Sequence, residues 1–455
     1  MLFKNRIPST RLINWFIILC VIYTNASYQY WNSDNRIIKD DVIGYYGYLP
    51  ATFIYHDTSL KFTDKLPKKL HDEIWYLTSA KGVRVFKYTC GLAILYSPFF
   101  FAAHLCAKVF GYDANGYTVP YKIGLIISCI FYLAVGLFFL RKILSKYFPN
   151  AIVSMTCLAT VLGTNLFCYV TFEPPLEHVY GFCMFAAFIY YTIKWFEKPS
   201  LVISVSIGAL AGLISLARPT NIIIVLFFIL WDITSISDIK KRALFFLSNY
   251  KWIILICCVA FCVWIPQFIY WKQQTGQWLY YSYGSKEGFF FNDPKIIKGL
   301  FSYRRGWLLY TPIMCFALIG IFFLRKQLKS FFLPIIVFMP LNLYIIFSWW
   351  CWWYGGGFGQ RPLIDSYALL AIPMAAFLHY IWNRKKRVRI AVFTLFYILI
   401  LFNQFQNQQY RYGAIHWDSM SGKAYWGNFG RIHPVANLNQ LLDPPDYEKT
   451  IKGDR

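Results

Sequence analysis

Charge is scarce in this chain of 455 residues, and acidic charge is scarcest: 15% of the residues are charged, with 45 Lys and Arg against 21 Asp and Glu. Soluble domains usually carry about a quarter charged residues and no long uncharged runs, so a soluble multidomain protein is a poor fit. Metal-ligand spacing is also missing. None of the 12 cysteines forms a Cys-x-x-Cys pair, and none pairs with a histidine at ligand spacing, which argues against a site built from Cys and His. The cysteines instead fall mostly inside apolar runs, as small hydrophobes do. There is no internal repeat and no low-complexity linker. The net charge of +24 lies in short clusters between apolar runs and forms no basic stripe, so nucleic acid is not the expected partner.

What is present is apolar and aromatic: 58% hydrophobic and 21% aromatic residues. Runs close to the ~20 residues that cross a bilayer recur throughout. They lie at 12–28, 88–110, 121–140, 151–171, 179–196, 201–217, 221–236, 252–270, 307–324, 331–350, 366–382 and 388–404. The basic clusters between them are Lys4/Arg6/Arg11, Arg141/Lys142/Lys146, Lys194/Lys198, Lys240/Lys241/Arg242/Lys251, Arg325/Lys326/Lys329 and Arg384–Arg389. Basic loops stay on the cytoplasmic side. All these clusters share that side only if 88–110 does not cross. Ser97-Pro98, His104 and Lys108 interrupt that run, which reads as a hairpin or membrane-surface helix.

The resulting expectation is an all-α polytopic protein of about eleven spans. Its N-terminus is inside, as a retained signal anchor. Residues 1–404 form the membrane domain and 405–455 an outer tail. The outer loops are 29–120, 172–178, the turn at Arg218, 271–306 and 349–365, and they concentrate the polar and aromatic residues. Loops on a rigid scaffold are where chemistry collects.

Three stretches carry candidate chemistry. Asp40-Asp41, followed by Tyr45 and Tyr46, stands early in the first outer loop. A partly desolvated carboxylate there is able to take a proton from an attacking alcohol. A pair of solvated loop charges explains the same residues equally well. Adjacent residues point different ways, so one of the two is the candidate. The loop 271–306 holds Lys286, Glu287, Arg304 and Arg305 among aromatics. The loop 349–365 holds four tryptophans, glycines at 355, 356, 357 and 359, then Gln360 and Arg361. Such glycines permit close backbone approach to a ligand, and their N–H groups are able to cradle an anion. Arg361 follows as a two-pronged phosphate partner. An interfacial aromatic belt with a snorkelling arginine is the plainer reading. His178 and Arg218 sit in short turns that face the same side, and Glu173 and Glu177 read as turn residues.

The stretch Asp41 to Ala51 resembles the acidic motif of the GT-C superfamily of membrane glycosyltransferases. Within it, the stretch is similar to that of the protein O-mannosyltransferase-like, or dolichyl-phosphate-mannose mannosyltransferase-like, group. Trp349 to Asp365 resembles that group's glycine- and arginine-containing loop. The resemblance implies a GT-C-like fold, a polyprenyl-phosphate sugar donor and an acceptor protein, lipid or glycan. It also implies a bacterial inner membrane with the active site facing the periplasm, and no cofactor or metal. Asp41 is then the base, with Asp40 as runner-up because the family pattern usually has one acid. Arg361 holds the donor phosphate with help from Lys286, Arg304 or Arg305. Tyr45, Tyr46, Glu287, His178, Arg218, Trp353, Gly356, Gln360 and Asp365 line the substrate cleft. The competing reading is a flippase or transporter of lipid-linked saccharides. Such proteins place ionisable groups within their spans and often show repeat symmetry.

Overall fold

The computed structural model describes residues 10–34, 36–79, 81–284 and 287–455, without the side chain of Lys69. The chain is all-α. Among the described residues the one sheet is a two-stranded hairpin, Leu77–Thr78 against Arg84–Val85. Seven helices are long and apolar enough to cross a membrane: Gly91–Val109, Val119–Ser145, Glu177–Glu197, Tyr250–Thr275, Lys329–Ser348, Arg361–Trp382 and Lys386–Arg411.

The expected spans are helical but not all continuous. The run 151–171 divides into Asn150–Leu162 and Leu166–Thr171. Between them Asn165 leaves the helical ladder, accepts from the Tyr367 hydroxyl at 2.7 Å and donates to the Phe358 carbonyl at 3.2 Å. The run 307–324 is interrupted before Met314, where Pro312 cannot continue the Trp307–Tyr310 turn. The run 221–236 yields only the short helices Pro219–Ile224 and Val225–Leu230. After it comes Ile236–Ser248, a surface helix with no buried residue, started by a Ser235/Asp238 capping box.

The run 88–110 is not a hairpin. It is one helix, Gly91–Val109, that keeps Pro98 inside it. It lies antiparallel to the first half of Val119–Ser145. The Tyr132 hydroxyl donates to the Leu95 carbonyl at 3.2 Å, His104 meets Tyr121 at 2.5 Å, and Gly124 faces Phe99 and Ala103. Gly91 abuts the backbone of Leu216 and Ala217, beside Arg218.

Contacts sort the connections into two ends. At one end Lys146 and Lys194 share Glu197, Tyr147 packs on Phe331, Phe148 on His379, and Ser330 donates to Asp232. Basic residues of two clusters, Lys146 and Lys194, therefore meet there. At the other end the tail is tied to the two later loops. The Trp353 indole donates to Asp418 at 3.0 Å, Arg304 pairs with Asp443 at 3.0 Å, and Arg455 donates to the Trp349 carbonyl at 2.6 Å. The first loop joins them through Lys87–Glu287 at 2.5 Å.

Candidate active site

The Asp40–Tyr46 helix divides its residues by helical spacing. Val42, Ile43 and Tyr46 are buried in the core. Asp41 and Tyr45, four apart, share the other face. Tyr45 stacks on Tyr88 with ring centroids 4.3 Å apart, and the Tyr88 hydroxyl donates to Asp41 at 2.7 Å. The second Asp41 oxygen pairs with the Arg361 guanidinium at 2.9 Å. Asp40, with φ at 44°, turns its carboxylate to solvent; the side chain is 79% exposed and lies 3.6 Å from Lys39. Of the two acids, Asp41 alone pairs with Arg361. Burial pushes the Asp41 carboxyl up, but Arg361, the Tyr88 hydroxyl and Lys87 outweigh it and hold the group below its ordinary value of 3.8. Burial raises the Tyr88 hydroxyl well above its own range, so it stays a donor.

The Asp41–Arg361 pair stands where two cavities meet. One, of about 430 Å³, is walled by Tyr45, Tyr88, Trp271, Tyr283, Trp349 and Tyr354, with Lys87, Arg218 and Glu287 among them. The other, of about 760 Å³, is bounded by Arg36, Lys39, Glu173, Arg411, His416 and the glycine loop. Asp41, Leu176, Gly355 and Arg361 line both.

Beneath the aromatic cavity lies a buried ionic cluster. His178 is 3.2 Å from Glu177 and 3.4 Å from Asp365, and Arg218 is 3.5 Å from Asp365 and 3.8 Å from Glu177. Asn221 donates to Asp365 at 2.7 Å. Glu177 is therefore no mere turn residue, and His178 does have acidic partners. Sequence spacing does not show them, because one is its sequence neighbour and the other is 187 positions away. Glu177, His178 and Asp365 offer three ligand atoms within 4.8 Å of one another, a donor set that suits a divalent cation in composition. Arg218 already supplies positive charge to both carboxylates.

Several expected contacts are corrected. Arg305 is 3% exposed and reaches neither cavity wall. Its guanidinium donates to the carbonyls of Trp353 and Gly355 and to the Tyr169 hydroxyl, so it clamps the glycine loop. Arg304 is engaged by Asp443 of the tail. Trp353 is buried and anchors the tail at Asp418, and Tyr46 is a core residue bonded to the Gly116 carbonyl. Gln360 is fully buried and donates to the Trp352 carbonyl at 3.4 Å. Asp365 is 1% exposed and braces Arg218 and Asn221 from below. Arginines and tryptophans near a loop look alike in sequence whether they face a ligand or fasten the loop. Lys286 lies outside the described residues.

Three amides of the glycine loop are engaged within the protein and are not free to cradle an anion. The Gly357 amide donates to the Trp417 carbonyl, the Phe358 amide to the Tyr169 hydroxyl and the Gly355 amide to the Cys351 sulfur. Its glycines act through φ. Gly357 sits at 141°, and a Cβ there would collide with the Tyr169 hydroxyl and the Arg305 guanidinium. Lys87, Tyr88, Arg36 and Arg411 are site residues that the sequence reading missed. Lys87 and Tyr88 carried a signal, a cation and an aromatic at the head of an apolar run. Arg36 and Arg411 are 375 positions apart, and nothing local links them.

No protein-family model matches this chain, and no curated protein is similar to it.

Proposed function

We propose that this protein is a membrane glycosyltransferase that moves a sugar from a polyprenyl-phosphate donor to an acceptor hydroxyl. The observation that carries this reading is Asp41, ionised beside Arg361, at the junction of an aromatic and a basic cavity. A single displacement fits such a junction. The acceptor oxygen gives its proton to Asp41 and bonds to the anomeric carbon. The bond from that carbon to the phosphate oxygen breaks, and the prenyl phosphate leaves with the electron pair and with inversion. Phosphate is a stable leaving anion, so the protein's task is to hold it with positive charge. Arg361, Lys87 and Arg218 line the aromatic cavity and fill that role, while its rings stack on the sugar and the first prenyl units.

Arg361 has two suitors in this scheme. Without substrate it neutralises Asp41; with donor bound it faces the phosphate. A phosphate that draws the guanidinium away restores basicity to Asp41 when the sugar is in place. In this reading the end carrying the large loops faces the periplasm of a bacterial inner membrane; the Lys146 and Lys194 cluster at the opposite end supports that orientation.

The test is transfer in proteoliposomes with a polyprenyl-phosphate sugar. Asp41→Asn keeps size and hydrogen bonding but takes no proton. Its rate should fall on the order of a hundredfold or more, the usual worth of a general base, with donor binding retained. Asp40→Asn should stay close to wild type. Full activity in Asp41→Asn would remove the reading.

A further inference from the structure

The basic cavity contains a feature that the transfer scheme leaves unused. The Arg411 guanidinium lies 3.4 Å from the centre of the Tyr28 ring and donates from Nε to the Tyr30 hydroxyl at 3.1 Å. Tyr28 stacks on Tyr30 at 5.9 Å, and the Arg36 guanidinium sits 5.1 Å from the Tyr30 ring centre. Two guanidiniums are thus gathered around one pair of stacked tyrosines. Among the described residues neither has a carboxylate within ion-pair distance. Arg411 Nη1 is buried with no hydrogen-bond partner. The nearby acid Glu173 is taken by Lys39 at 3.4 Å and by the Tyr410 hydroxyl at 2.9 Å. Like charges brought together and left uncompensated repel, and a buried donor left unmade costs free energy. The ring contacts hold both guanidiniums beside one another and leave Arg411 Nη1 without a partner, and guanidiniums so held grip a phosphate or carboxylate with charge-assisted hydrogen bonds.

We infer that Arg36 and Arg411 form an anion site in the basic cavity, and that the acceptor carries a phosphate monoester or carboxylate which binds there. Both residues line the cavity that shares Asp41 with the aromatic one. An anion so held leaves the rest of the acceptor to extend toward the base. Naming the ligand an acceptor rests on the transfer reading; anion binding does not. Arg361 borders both cavities, but the site differs from the donor-phosphate site in that Lys87 and Arg218 border only the other cavity and Arg36 and Arg411 only this one.

The experiment is calorimetric titration of the full chain in phosphatidylcholine nanodiscs with glucose 6-phosphate, and with glucose as the uncharged control. Glucose 6-phosphate should bind at least tenfold tighter than glucose. R36Q, at an exposed position, should weaken it about tenfold, the scale of one charge-assisted hydrogen bond. R36Q/R411Q should bring it to the glucose value. Repeating the titration with phosphatidic acid in the disc separates the sources. Competition assigns the anion to a lipid head group, and its absence assigns it to a sugar or other soluble phosphate. Equal binding of glucose and glucose 6-phosphate, or phosphate binding indifferent to R36Q and R36Q/R411Q, would overturn the proposal. Neither outcome depends on transfer, so a failure here is distinct from the Asp41→Asn result.

Discussion

Asp41 is held ionised by a partner that also weakens it as a base, and this balance fixes its pH behaviour. Arg361, the Tyr88 hydroxyl and Lys87 hold its carboxyl below the ordinary aspartate range against the effect of burial, so the group keeps its charge as pH falls from neutrality. The acid limb of kcat/KM, which reports the free enzyme, should therefore lie below that of an ordinary aspartate. Arg361→Gln removes the strongest opposing influence and leaves burial, so the limb should move upward; a limb that stays put would mean that Arg361 does not set the charge of Asp41. Arg361→Lys should restore the position of the limb but only part of the donor affinity, because an ammonium offers charge without the two-pronged geometry. Titrating donor into Arg361→Gln and Arg361→Lys checks this. Unchanged affinity in both would move the phosphate site to Lys87 and Arg218.

At the scale of elements, the 349–365 loop is held from several sides. Arg305 clamps its carbonyls, Tyr169 takes the Phe358 amide, and the tail takes the Gly357 amide and the Trp353 indole. Gly357→Ala should cost about 1–3 kcal/mol for the backbone alone, the range for residues forced into sparsely populated φ/ψ regions, with the steric clash added. Thermal unfolding in detergent measures it. An unshifted midpoint would show that the loop relaxes around a Cβ. The tail is part of the same construction, so Asp418→Ala should release Trp353 and raise protease sensitivity after residue 411. Limited proteolysis of wild type and variant decides whether it does.

At the scale of the whole molecule, the large loops and the tail gather at one end, while Lys146 and Lys194 meet at Glu197 at the other. A C-terminal phosphatase fusion should be active, since the tail packs on the 271–306 and 349–365 loops. Cysteines placed at Lys146 and Lys326 should label only from the cytoplasm. The Gly91–Val109 helix is long enough to cross, yet its contacts lie along the first half of Val119–Ser145. A cysteine at Gly111 and one at Lys81 should accordingly label from the same side. Labelling from opposite faces would mean that this helix spans, and the count of spans would change by one.

The sequence by itself determined the class of molecule. Apolar runs of near-bilayer length dictate helices, because an unpaired backbone in hydrocarbon is too costly, and the runs were legible wherever they were uninterrupted. It also singled out Asp41 and Arg361, since each stands in a polar, aromatic stretch unlike the simple basic loops. Only the tertiary structure decided which neighbours share their work. Asp365 and Arg305 fell into the expected set but turn inward to brace and clamp. Lys87, Arg36 and Arg411 fell outside it and line the cavities. A residue's type states what it is able to bind, whereas the direction it faces is set by helices packed against it from elsewhere in the chain. Arg36 and Arg411 come together only because the chain folds back to set Arg36 over Tyr30 and Arg411 over Tyr28.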